Sequence, residues 1–188
     1  NTINTIRFMA DIAKFDSIRD MAANLMSILD CVLRNRSRRY TLADEAKILE
    51  AYIHIMEVRY SGSFSFRCAF SPESLACRLP KLLLQPLVEN AIYHGIKPLD
   101  RKGHIRVLVK QKEDIVYLRV QDDGVGLSGE RFWEVLQKGA QSGDSFGLRN
   151  VAERLQLYYG ERCALELEER AQGTTILICI QTAAEIMQ

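Results

Sequence analysis

The sequence predicts an α+β protein, with helices first and then an antiparallel or mixed sheet covered by helices. Three observations carry this. Apolar residues recur every three or four positions up to Tyr60, and every second position from Phe64 onward. The later strands come in pairs whose connections are too short to cross a sheet. The chain has 188 residues, 47% hydrophobic and 26% charged, enough for one domain with a helical appendage. Its net charge of +1 argues neither for nor against nucleic acid. No apolar run approaches the roughly 20 residues of a membrane span, and no signal peptide is recognisable, so this stretch is expected to be soluble. Five scattered cysteines (Cys31, Cys68, Cys77, Cys163 and Cys179) form no Cys-x-x-Cys pair. They read as buried thiols of a reducing compartment.

The opening Asn1-Thr2-Ile3-Asn4-Thr5-Ile6 lacks a cap and a starting Met, and reads as a helix cut in its middle. Ile18, Met21, Ala22, Leu25, Ile28, Leu29, Val32 and Leu33 then mark one face of a helix that Asp16 or Ser17 can cap. Arg34, Arg36, Arg38 and Arg39 crowd its end, where cations suit the helix dipole. No aromatic residues interleave them, so a solvated helix end outweighs a nucleic-acid patch. Thr41 opens the next helix, with Asp44 placed as in a capping box. Leu42, Ala46, Leu49, Ile53, Met56 and Tyr60 follow as a heptad-like seam, suited to packing within the chain or to a dimeric bundle. Ser61-Gly62-Ser63 breaks the pattern and divides a helical segment, residues 1–61, from a second domain, residues 62–188.

Phe64 to Phe70 alternates as a strand, and Pro80 is expected to open a helix running to about Gly95. Lys97 to Gly103 reads as a loop. Ile105–Val109 and Ile115–Gln121 are strands, with Gln111–Asp114 as the hairpin turn between them. Ser128–Ser145 is polar, with a short helix around Arg131–Gln137. Leu148–Tyr158 is a helix ended by Gly160, and Cys163–Glu169 with Thr175–Gln181 closes the chain as a second hairpin.

Two places carry chemistry. The period of Val116, Leu118 and Val120 puts Asp122 on the apolar face of its strand, where a bare carboxylate would cost several kcal/mol. The glycines after it, in Asp122-Asp123-Gly124-Val125-Gly126, clear space for a ligand with a hydrogen-bond donor, such as the exocyclic amine of adenine. An ordinary acidic turn explains the segment equally well. Gly124 to Gly129 also fits a dinucleotide fingerprint, but that needs a parallel βαβ unit, and a hairpin strand is antiparallel. The helix from Leu82 to His94 sets Leu83, Leu84, Leu87, Val88, Ala91 and Ile92 on one half of its circumference. Gln85, Glu89, Asn90, Tyr93 and His94 occupy the other. Asn90 offers a neutral oxygen for Mg²⁺ and Glu89 a general base, although such a face is more commonly solvated surface.

Leu83-Leu84-Gln85-Pro86-Leu87-Val88-Glu89-Asn90-Ala91-Ile92-Tyr93-His94-Gly95 resembles the N box of the YesM/LytS-type sensor histidine kinases of the GHKL ATPase superfamily. Asp122 to Leu127 is similar to their G1 box. Phe146 to Val151 with Glu153-Arg154-Leu155 is similar to their G2 region, and Gly173-Thr174-Thr175 to the Gly-Thr before their last strand. The order matches and the resemblance spans the chain. It implies a Bergerat-type ATP-binding α/β sandwich after a helical dimerisation segment. The implied activity is transfer of the ATP γ-phosphate to a histidine, for relay to a response regulator receiver domain. Asp122 would receive the adenine amine, with Thr174 supporting it through water. Asn90 would coordinate Mg²⁺, Glu89 would be the catalytic acid/base, and His94 would contact the nucleotide. Gly124 and Gly126 would shape the base pocket, while Gly147 and Leu148 start a helix facing the phosphates. Ser128–Ser145 would be a lid.

The chain departs from the pattern in two places. Tyr93 stands where the family often has Lys, leaving His94, Lys97 or Arg149 to supply that charge, and Ser145 replaces the first glycine of the G2 box. Asn1-Thr2-Ile3-Asn4 looks like the end of the family's His-Phe-x-x-Asn motif, so the acceptor histidine is expected upstream of Asn1, not at His54. Any membrane attachment would then lie in upstream segments, leaving the chain on the cytoplasmic side. The competing readings are a GHKL nucleotide-binding module without kinase activity and an anti-sigma-type serine kinase; nucleic-acid binding is remote.

Overall fold

A computed structural model of the chain describes residues 2–34, 40–138, 146–168 and 170–182. Three helices come first: α1 (Thr2–Ile12), α2 (Asp16–Arg34) and α3 (Leu42–Arg59). The capping box forms as expected: the Thr41 side chain accepts from the Asp44 N–H, and the Asp44 carboxylate accepts from the Thr41 N–H at 3.0 Å. The rest of the arginine cluster after Arg34 lies outside the described residues. Among the described residues no helix is long and apolar enough to cross a membrane.

The sheet comprises β1 (Phe64–Phe70), β2 (Gly103–Lys112), β3 (Ile115–Asp122), β4 (Cys163–Glu168) and β5 (Thr175–Gln181), ordered β1-β2-β3-β5-β4. β1 runs parallel to β2 and the other pairs are antiparallel, so the sheet is mixed. The β2–β3 hairpin pairs Ile105 with Asp122 and Lys112 with Ile115, which removes the parallel unit a dinucleotide fingerprint requires. One face is apolar. Ile105, Val107, Val109, Val116, Leu118, Val120, Ile176, Ile178 and Ile180 are buried under α3, α4 (Gln85–Asn90), α5 (Gly129–Lys138) and α6 (Phe146–Tyr159).

The turn at Ser61-Gly62-Ser63 exists, with Gly62 at φ 78, but packing does not divide there. The seam residues Leu42, Leu49, Ile53 and Met56 of α3 share one core with Leu83, Leu87 and Val88 of the N-box region and with the strands. On α2, by contrast, Ala22 is buried while Ile18, Leu25, Leu29 and Leu33 are 38–65% exposed, and so are Phe8 and Met9 of α1. That is a large unpaired apolar strip.

One element differs from expectation. The helix expected from Pro80 begins only at Gln85. Leu82 has φ 55, a left-handed conformation costing a non-glycine residue roughly 1–2 kcal/mol, and it interrupts the helical path. After Asn90 the helix widens into a π turn, Ala91–Ile96, in which the Lys97 N–H reaches the Ile92 carbonyl at 2.9 Å. The cysteines also differ: all five are free thiols, but Cys68 is exposed and the others are half-buried.

Candidate nucleotide site

Asp122 ends β3 on the apolar face, as its period requires, and is 4% exposed. Its Oδ1 accepts from the N–H groups of Gly124 at 2.8 Å and Thr174 at 3.3 Å. Among the described residues no cation pairs with it. Burial raises its pKa, opposed by the Gly124 and Thr174 hydrogen bonds. Asp123 behaves in the opposite way. Burial works against it, but the His104 N–H and the Arg101 guanidinium, 2.8 Å away, hold its carboxyl below the usual value. Arg101 also donates to the Asp123 carbonyl at 2.7 Å, which fixes the loop after β3 from outside.

The π turn brings Gly95 against this loop, where the Val125 N–H donates to the Gly95 carbonyl at 3.0 Å. A Cβ on Gly124 would lie 2.3 Å from that carbonyl's carbon, so the approach requires glycine. Gly173, at φ 76, crosses so closely that a Cβ would sit 2.0 Å from the Asp122 carbonyl oxygen. As site residues, Gly95 and Gly173 escape a reading of the sequence. The close glycine-to-glycine crossing that gives them their role appears only once the strands are paired.

Above Asp122 opens a cavity of about 290 Å³, near the lower end of the roughly 300–1,000 Å³ usual for small-molecule sites. Asn90, His94, Asp122, Gly126, Leu148 and Thr174 all line it, so the structure gathers residues of the expected set from four separate segments. Leu87, Val120 and Ile176 add apolar surface. Gly124 and Gly147 stand just behind the wall, and a Cβ on Gly147 would be 3.3 Å from the Asn90 Oδ1, which sets the start of α6 beside that amide.

Glu89 does not line the cavity either. Its charge falls on Tyr52 and Tyr93: burial and then the Glu89 charge push the Tyr52 hydroxyl up. The Tyr93 hydroxyl accepts from Arg59 at 3.1 Å, and Lys97 stands 5.9 Å from the Tyr93 ring. Of the cations expected to replace the missing Lys, only His94 reaches the cavity; Arg149 is paired with Glu153 at 2.6 Å. Arg131 of α5 lines it too. From the sequence it belongs only to the short helix of the expected lid, of which residues 139–145, with Ser145, lie outside the described residues.

A mixed five-stranded sheet with helices on its apolar face carries a cavity in which a buried carboxylate ends one strand beside a glycine loop, the layout of a small-molecule binding site. The family described as "Histidine kinase-, DNA gyrase B-, and HSP90-like ATPase" matches residues 78–184, and the family "Histidine kinase" matches residues 1–64. The chain belongs to these sensor histidine kinase and ATPase families. It is 31% identical to Sensor histidine kinase YesM of Bacillus subtilis over 188 residues, covering 100% of this chain and 32% of that protein. It is 31% identical to Sensor histidine kinase YpdA of Escherichia coli over 166 residues, covering 88% of this chain and 29% of that protein. The chain thus spans about a third of the length of the curated relatives it matches. Its fold is shared with the histidine kinase domain of the blue-light activated kinase EL346 of Erythrobacter litoralis, at TM-score 0.58 and 17% identity over 95% of this chain and 83% of that one. It is also shared with histidine kinase ThkA, solved in complex with response regulator protein TrrA, at TM-score 0.58 and 19% identity over 88% of this chain and 49% of that one.

Proposed function

We propose that this chain is the ATP-binding and phosphoryl-transfer core of a sensor kinase that phosphorylates histidine and passes the phosphoryl group to a response regulator receiver domain. The observation that carries the reading is Asp122: a buried carboxylate with no cation partner among the described residues, lining a cavity that Asn90 also lines. The adenine amine is a further donor for this carboxylate, beside the Gly124 and Thr174 N–H groups it already accepts, and Thr174 supports the base beside it. Gly124 and Gly126 leave room for the base plane. The triphosphate then runs from the cavity past Asn90 to the first turn of α6, where Gly147 and Leu148 present helix N-terminal N–H groups. His94 and Arg131 stand on the cavity wall as candidate cations for the phosphates.

The donor set around Asn90 suits Mg²⁺, which takes one or two protein oxygens and completes its shell with phosphate and water. When bound it would neutralise charge between the terminal phosphates. Glu89 lies off the cavity on the side of α3, so its acid/base role holds for an acceptor imidazole arriving from that side. The exposed strip of Phe8, Met9, Ile18, Leu25, Leu29 and Leu33 is the surface through which two copies would pair. ADP titrated into the chain with and without Mg²⁺ tests the site: binding that Mg²⁺ strengthens in wild type but not in Asn90→Ala supports it, and no binding at all overturns it. Labelled ATP given to the full-length protein tests the transfer, which requires acid-labile label on histidine.

A further inference from the structure

The chain enters α4 through the strained turn at Leu82, and side chains of α3 and α6 grip that turn. Glu45, 1% exposed in the first turn of α3, accepts from the Leu84 N–H at 2.6 Å through Oε1 and from the Leu82 N–H at 3.0 Å through Oε2. The Tyr40 hydroxyl donates to the same Oε2. Leu84 makes no side-chain cap of its own, so the carboxylate of α3 caps α4 from another helix. Arg154 of α6 holds the same turn by its carbonyls, donating through Nη1 to those of Lys81 and Leu82. The Tyr159 hydroxyl adds a bond to the Arg78 carbonyl at 3.0 Å. A non-glycine residue in a left-handed conformation persists only where its surroundings over-determine it, and such residues gather at functional sites.

We propose that Glu45 and Arg154 are positioning residues for the nucleotide site, the two jaws of a clamp that fixes the axis of α4 and so the place of Asn90. This rests on the nucleotide reading above and extends it to residues outside the cavity. The same helix α6 meets Asn90 at Gly147 and holds the entry of α4 at Arg154, so it contacts both ends of the segment that carries the metal oxygen. A third bond extends the connection, since Lys81 Nζ donates to the Val32 carbonyl near the end of α2 at 3.1 Å. The clamp thereby joins the nucleotide site to the helix bearing the exposed apolar strip.

The clamp acts on the metal half of the site and leaves the base half, built on β3 and the Gly173 turn, untouched. Calorimetry with adenosine and with Mg²⁺-ADP separates the halves. In Arg154→Met the affinity for Mg²⁺-ADP is expected to fall about tenfold, the scale of two lost hydrogen bonds, with adenosine affinity kept. Arg154→Lys should recover part of the loss. Glu45→Gln keeps an acceptor oxygen and the fold, and is expected to lose Mg²⁺-ADP affinity selectively as well. Equal affinities in all variants, or a parallel loss of both ligands, would overturn the inference, because a merely structural turn would not discriminate between them. A wild-type chain that binds neither ligand would instead remove the nucleotide reading, and the clamp with it.

Discussion

Replacing Asp122 by Asn tests the base assignment at a single atom. In the free chain the Asp122 Oδ1 accepts from Gly124 at 2.8 Å and Thr174 at 3.3 Å, and an amide oxygen can accept both, so the turn is retained. The other terminal atom changes from an acceptor to an NH₂ donor, which faces the adenine amine donor to donor. The loss is a hydrogen bond to a charged acceptor, about 1.5–3 kcal/mol. At 1.4 kcal/mol per decade this lowers ADP affinity about 10- to 150-fold. Isothermal calorimetry with ADP and Mg²⁺ reads the change, and thermal melting of the free chains checks the fold. The variant should melt no lower than wild type at neutral pH, because it removes a buried charge. Equal ADP affinity would refute the argument that this carboxylate reads the base.

Burial raises the Asp122 pKa, so the folded chain holds this proton where the unfolded chain, titrating near 3.8, has released it. Stability relative to Asp122→Asn should fall as pH rises from about that value through the raised folded value, then level off; urea midpoints across this range check the slope. Nucleotide affinity should decline on acidification below the same raised pKa, as read by calorimetry at several pH values. Gly124→Ala must open the Gly95 contact, where its Cβ would stand 2.3 Å from backbone, so it should cost about 1–3 kcal/mol in denaturant melts and abolish ADP binding. Leu25→Glu with Leu29→Glu places charge on the uncovered face of α2 and should shift sedimentation to monomer without lowering ADP affinity.

Much of the site was legible because it depends on short-range patterns. Period two placed Asp122 on the buried face, the Thr41–Asp44 spacing gave the cap, and the brief turn before Ile115 fixed an antiparallel pair. What escaped depends on contacts between distant segments. Nothing near Leu82 predicts φ 55, because the donors that make it tolerable meet Glu45, 37 residues away. The heptad-like seam of α3 suited either a bundle or a core, and only tertiary packing decided for the core. Glu89 shares its turn with Asn90, yet sequence cannot tell which flank of that turn faces the cavity. Arg131 reached the cavity because α5 folds over it, which no local pattern in a polar stretch encodes.

The π turn after Asn90 has a consequence in counting. A π turn is an α-helix that has accepted one additional residue, so everything beyond it is rotated by about 100° relative to regular winding. Asn90 lies before that offset and Gly95, packed on the Asp122 loop, lies within it. The Asn90 side chain and the loop beneath the cavity therefore stand in register only while the count between them is kept. Shortening the segment by one residue would restore ideal helical geometry and turn Gly95 away from Asp122. The helix works here as a vernier, and one amino acid is its smallest division.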